Sequence, residues 1–301
     1  MPFQGLVNIR KALTTLNPHE VREKSERPVR VALHADSQES FAQMEDFFLR
    51  DLGPARRRQS AVLLSRATSP IAQRPDLDVY HAGIVAAPGA LIFQPDRPEM
   101  LINKALANHS DLGVPLAKSF APFRAPYVQS VVAKTSRQNA LFSLSTALPD
   151  VIPSFIELPW AVAEFASDTA FLTMNQVGMA FLIAGASDRA VGYREQKSEI
   201  ATVIGSAFGW RALARQIVGK VPFGGGLIGK AAIAYAGTKV LGLSLDRYYG
   251  MGFTYSRDER DEIYSNALQQ GKTIATKILT YLRPDLADKY EAQGRKPTVA
   301  R

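Results

Sequence analysis

Val29-Arg30-Val31-Ala32-Leu33-His34-Ala35-Asp36-Ser37-Gln38-Glu39-Ser40 decides how the first half of the chain is read. Val29–Leu33 alternates as a strand that ends at His34. Ala35-Asp36-Ser37 then turns, with Asp36 or Ser37 as the N-cap of a helix, because a short side-chain oxygen can accept an orphan N–H of the first turn. That helix carries Phe41, Met44, Phe47, Phe48 and Leu52 on one face. In a phosphate-binding α/β unit this strand-to-helix turn supplies glycine and lysine to cradle the anion. Here the turn holds neither, and it holds two acids, Asp36 and Glu39. Carboxylates at that place repel phosphate.

Upstream, Phe3, Leu6, Val7, Leu13 and Leu16 recur at helical spacing until Asn17-Pro18, and a second short helix starts at Pro18. Downstream, Ala61–Leu64, Asp78–Ala82 and Ala90–Phe93 read as further strands, and Pro98–Ala107 and Pro126–Leu148 as helices. Strands alternating with helices predict a small α/β layer.

After Pro149 the pattern changes. Pro149, Pro153 and Pro159 punctuate the chain, and helical stretches follow at Trp160–Ala184, Asp188–Gly209, Trp210–Gly219 and Lys230–Tyr249. A last helix starts at Ser256, where Ser256-Arg257-Asp258-Glu259 forms a capping box, and stops at Arg283-Pro284. The expected fold class is α+β or α/β: a small, degenerate nucleotide-domain-like half and a mainly helical, glycine-rich C-terminal half. The expected segments are a helical lead-in (1–28), the α/β domain (29–149), the helical domain (150–284) and a polar tail (285–301).

Composition narrows the chemistry. At 301 residues, with 46% apolar and 21% charged residues, the chain has the make-up of a globular protein. With no cysteine, a disulfide framework, thiolate zinc, iron–sulfur clusters and a thiol nucleophile are excluded. No signal peptide is visible at the N-terminus. The net charge of +8 is spread evenly: each half holds 18 basic and 14 acidic residues, so no basic domain points to nucleic acid. One basic cluster stands out: Arg56, Arg57, Arg58, Arg66 and Arg74, with no acid between Gly53 and Pro75. It offers contact with an anionic surface, against the plainer reading of a solvated loop.

Motifs for catalysis are missing or incomplete. Gly224-Gly225-Gly226-Leu227-Ile228-Gly229-Lys230-Ala231 fits G-x-x-x-x-G-K-[ST] except at the last position, where Ala231 removes the hydroxyl that binds magnesium. Gly224, Gly229 and Lys230 are thus the candidate nucleotide contacts, against a plain glycine turn between helices. There is no G-x-S-x-G and no H-E-x-x-H. His34 and His81 stand at strand ends and are the one histidine pair that could meet. No cofactor and no metal are expected. Two G-x-x-x-G spacings, Gly205–Gly209 and Gly225–Gly229, assign Gly205, Gly209, Gly225 and Gly229 to close helix packing. Thr169–Ser187 is free of charge and just long enough to span a membrane, but Thr173, Asn175 and Gln176 interrupt it.

Asp168-Thr169-Ala170-Phe171-Leu172-Thr173-Met174-Asn175-Gln176-Val177-Gly178-Met179 resembles the start of the helical domain of unknown function that accompanies bacterial GTPases, the YcjF-like group. So do Ala207-Phe208-Gly209-Trp210-Arg211-Ala212-Leu213-Ala214-Arg215, Val221-Pro222 with its glycines, and Ala234-Tyr235-Ala236-Gly237-Thr238-Lys239-Val240-Leu241-Gly242. Asn17–Pro28 followed by a strand looks like the lead-in to a GTPase domain. The resemblance implies a degenerate, pseudo-GTPase domain fused to the helical module, and it implies membrane association. It carries no catalytic role to any residue. The reading is therefore a non-enzymatic binding or scaffold protein of the cytoplasm, peripheral at the inner membrane. Its expected partner is another protein, a second copy or an anionic membrane surface. The alternatives are a nucleotide hydrolase using the Gly224–Lys230 turn and an integral membrane protein.

Overall fold

A computed structural model describes residues 2–67, 74–146, 148, 168–206 and 225–284. It is mainly helical with one small parallel sheet. The chain divides into two compact units. A sheet unit comprises Pro18–Ser130 and Phe181–Glu195, and a helical unit comprises Met1–Asn17, Val131–Ala180 and Gln196–Arg301. These units cut across the sequence segments, because the first helix belongs with the C-terminal helices and not with the sheet.

In the sheet unit, α2 (Pro18–Glu26) leads to β1 (Val31–His34). Then come α3 (Gln38–Leu49), α4 (Pro54–Ala61), β2 (Leu64–Arg66), β3 (Leu77–His81), β4 (Leu91–Phe93), α5 (Pro98–Asn108) and α6 (Gly113–Ser119). The strands lie in the order β2-β1-β3-β4, all parallel, with His34 opposite Tyr80 and Tyr80 opposite Ile92. The predicted strand Ala61–Leu64 is shifted: α4 runs to Ala61 and the strand starts only at Leu64. Pro54 at the first turn starts that helix, and Arg56–Arg58 and Gln59 extend it at little conformational cost.

Alternation along each strand divides the sheet into two faces. Val31, Leu33, Leu77, Val79, Leu91 and Phe93 face a core shared with Met44, Phe47 and Phe48 of α3 and Leu101 and Ile102 of α5. Phe48 meets Phe120 edge-on at 5.0 Å and stacks on Phe123 at 5.7 Å. The other face carries His34, Asp78, Tyr80 and Ile92 and stays partly exposed.

The helical unit contains α1 (Pro2–Leu13) and most of α7 (Ala121–Ser145) and α8 (Asp168–Ala186). It continues with α9 (197–206), α10 (Gly225–Met251) and α11 (Arg257–Leu282). Helix α7 begins five residues before its predicted start and holds Pro126 in its interior, where one backbone hydrogen bond is lost. At α11 the capping box is present: Glu259 N–H donates to Ser256 Oγ and Ser256 N–H donates to Glu259 Oε2. The expected helix Trp210–Gly219, like the expected polar tail, lies outside the described residues.

Two features organise this unit. Ile9 and Ala12 of α1 are buried with Leu13 and Leu16 against Phe142, Ala170, Phe171 and Met174. Beside them a polar network crosses the core. Asn139 Nδ2 and Gln176 Nε2 both donate to Thr238 Oγ1, at 2.8 and 3.0 Å, and Asn175 Nδ2 donates to Asn139 Oδ1 at 2.8 Å. Two of the residues that interrupt the apolar run of α8, Asn175 and Gln176, thus bond to α7 and α10, while Thr173 donates to the Thr169 carbonyl within α8. Helix α8 is the one described helix apolar and long enough to cross a membrane, and 78% of its apolar window is buried within the protein.

Candidate functional site at the sheet switch point

The order β2-β1-β3 means that the chain leaves β1 in one direction and returns to place β3 on its other side. Ligands of open parallel sheets bind outside the C-terminal ends of the strands at such a reversal. The residues found there are His34, Asp36, Ser37 and Ser40 from β1 and the start of α3, with Tyr80, His81 and Gly83 from the end of β3.

The start of α3 is satisfied from within the chain. Ser40 N–H donates to Ser37 Oγ and Ser37 N–H donates to Ser40 Oγ, both at 3.1 Å, a capping box built from two serines. The Ser40 hydroxyl also donates to Asp36 Oδ1 at 2.6 Å. That bond is the main reason the Asp36 carboxyl lies below its ordinary value, and the nearby His81 lowers it further. An ionised carboxylate therefore stands just before the N-cap of α3. Gly83 closes the other side, since a β-carbon added there would lie 3.1 Å from Asp36 Oδ2.

The two histidines do not form a pair. His34 is opposite Tyr80 in the register, so His81, one residue on, points to the opposite face. His34 stacks on Tyr80 at 4.0 Å, and its Nε2–H donates to Asp78 Oδ1 at 2.8 Å on the exposed face. His81 lies near Phe93 on the core side, and its Nδ1 accepts from Gly83 N–H at 3.3 Å. That bond leaves the ring proton on Nε2, which is buried without a partner. Among the described residues no hydroxyl is hydrogen-bonded to either ring. Among the described residues no group of three or more His, Cys, Asp and Glu could hold a metal ion.

Asp78, Tyr80, Ser40 and Gly83 were missed from sequence. The strand pattern marks their elements, but only the pairing of β1 with β3 brings them together.

The remaining candidates lie elsewhere. Gly225 to Lys230 is no turn but the start of α10, which corrects the reading of a glycine turn over these residues. The following Ala231, Ala232, Ile233 and Ala234 are buried, and that packing carries the helix back through the glycines. Gly224 lies outside the described residues. Of the basic cluster, Arg56 pairs with Asp188 and Arg57 with Asp46. Arg66 donates to Gln38 and lies over the Phe41 ring, while Arg58 and Arg74 are exposed. Two of the five charges are thus matched by carboxylates.

A β-carbon at Gly205 would meet nothing within 4 Å, which corrects its assignment to a helix contact. Gly209 lies outside the described residues, and Gly225 is helical. Close approach occurs instead at Gly271, where a β-carbon would sit 2.8 Å from the carbonyl oxygen of Ala232, and at Gly242, 2.6 Å from Val132.

Compared with family models, curated proteins and solved structures, the chain matches none.

Proposed function

We propose that the protein is a non-enzymatic binding or scaffold protein whose sheet unit is a degenerate nucleotide-domain-like fold. The observation that carries this reading is the occupation of the switch point by the chain's own groups. Where a nucleotide-binding sheet would present free N–H donors and a cation to phosphate, Ser37 and Ser40 cap the helix and Asp36 supplies a negative charge. The order of the parallel strands supports the nucleotide-domain-like part of the reading, and the resemblance of the helical half to the GTPase-associated module agrees with it.

Against the hydrolase alternative, Gly225–Lys230 is helical and Ala231 offers no hydroxyl for magnesium. The test is calorimetric titration of the full chain with Mg-GTP and Mg-ATP, combined with thermal unfolding at saturating nucleotide. A true binder gains about 2.7 kcal/mol at a hundredfold excess over Kd. Neither heat of binding nor stabilisation is expected. Micromolar affinity for either nucleotide would overturn the proposal.

A further inference from the structure

The first helix has two different sides, and among the described residues only one of them packs into the fold. Ile9, Ala12, Leu13 and Leu16 recur at i, i+3, i+4 and i+7 and pack into the helical unit. This corrects the sequence reading for Val7, which falls away from the stripe of Leu13 and Leu16, while Leu6 lies at its exposed edge. At 100° per residue, positions 6, 10, 7 and 11 follow one another around the helix, from the edge of that stripe, where Leu6 lies beside Leu13, to its far side. Leu6 and Val7 are 47% and 51% exposed, and Arg10 and Lys11 beside them are exposed as well. The outward side of α1 is therefore two aliphatic side chains interleaved with two cations. Neither cation has a carboxylate partner among the described residues, and the first acid in the chain is Glu20.

From this we infer that the outward side of α1, through Leu6, Val7, Arg10 and Lys11, is a contact for an anionic lipid surface. The inference rests on the binding-protein reading above and names one partner for it. Charge complementarity selects the partner: a stretch of 19 residues with cations and no acid suits a negatively charged surface. Leu6 and Val7 lie where the apolar half of an interfacial helix enters the boundary between headgroups and acyl chains. The buried stripe makes the contact rigid, since Ile9 and Ala12 hold the helix formed before it meets lipid. A helix already ordered loses less conformational entropy on binding than one that folds at the membrane. Two cations and two aliphatic side chains make this a weak, salt-sensitive contact, of the kind that needs a second signal for stable anchoring.

The experiment is co-sedimentation of the full chain with phosphatidylcholine vesicles, with and without phosphatidylserine, at about 0.1 M and about 1 M salt. Over that range the Debye length falls from ~10 Å to ~3 Å. The protein is expected to pellet with the phosphatidylserine vesicles at low salt and to be released at high salt. Arg10→Gln with Lys11→Gln should cut the bound-to-free ratio by about fivefold per charge. Leu6→Ser with Val7→Ser should reduce it at low salt with both charges still present. All four side chains are exposed, so thermal unfolding of both double variants should match the parent. Should the aliphatic pair fail to fold, Val7→Ser alone carries the same comparison. No pelleting, pelleting indifferent to phosphatidylserine, or full binding by both double variants would overturn the lipid contact. A failure here leaves the non-enzymatic reading standing with another protein as partner, whereas nucleotide binding overturns that reading whatever the vesicles show.

Discussion

The hydroxyl of Ser40 donates to Asp36 Oδ1 at 2.6 Å while the same residue's backbone N–H donates to Ser37 Oγ. One serine thus ties the strand-to-helix turn to the helix it starts.

This bond makes the Asp36 titration a probe of the turn. The folded carboxyl lies below its ordinary value, chiefly through the Ser40 hydroxyl. Asp36 therefore contributes stability above its unfolded-state pKa, and that contribution is lost as pH falls through the folded value. Ser40→Ala should move the Asp36 carboxyl up towards the ordinary value, read by carbon NMR across an acid titration. The same substitution removes half of the capping box and should cost about 1 kcal/mol in urea unfolding at neutral pH. An unmoved Asp36 titration would show that the hydroxyl does not set its acidity.

Close packing of α10 on α11 should be sensitive at Gly271 and indifferent at Gly205. A β-carbon at Gly271 runs into backbone, the carbonyl oxygen of Ala232, which cannot swing aside as a side chain would. Gly271→Ala is expected to destabilise by roughly 1–3 kcal/mol through overpacking. Gly205→Ala places its methyl in open space within helix α9 and should be neutral or stabilise by up to about 1 kcal/mol. Chemical denaturation of the two variants side by side checks the contrast. Equal effects would sink it.

Thr238 is the acceptor that two buried amides share. Thr238→Val keeps the shape of the side chain but leaves Asn139 Nδ2 and Gln176 Nε2 without that oxygen in the core. Orphaned buried donors cost about 1–3 kcal/mol each, so a loss on the order of 3 kcal/mol is expected. Thr238→Ser retains the oxygen and should recover much of it. The measurement is equilibrium unfolding in urea. A valine variant as stable as the parent would show that the network contributes nothing to stability.

Local signals were read well where a single residue's own chemistry determines the outcome. The strand through Val31–His34, an N-cap at Asp36 or Ser37, of which it is Ser37, the capping box at Ser256 and the stop at Arg283-Pro284 each depend on neighbours a few positions away. Periodicity also located α3, α5, α8 and α11. It failed at Ala61–Leu64 because a short apolar run is compatible with a helix end as well as a strand, and packing decides between them.

What the sequence by itself determined is the class of chemistry and the local framework: no thiol chemistry, an acidic first turn where a phosphate site would be basic, and a sheet followed by long helices. Only the tertiary structure decided which residues meet. The register of β1 on β3 brings His34 to Asp78 and Tyr80 and turns His81 to the other face, since a shift of one residue in a strand reverses its side. The packing of α1 separates Leu6 and Val7 from Ile9 and Ala12, because an amphipathic count gives a helix's apolar positions but not which of them find a partner. Glycine spacing likewise pointed to Gly205, while close approach falls at Gly271 and Gly242. G-x-x-x-G states that two backbones could come together, and only the path of the second helix determines whether they do.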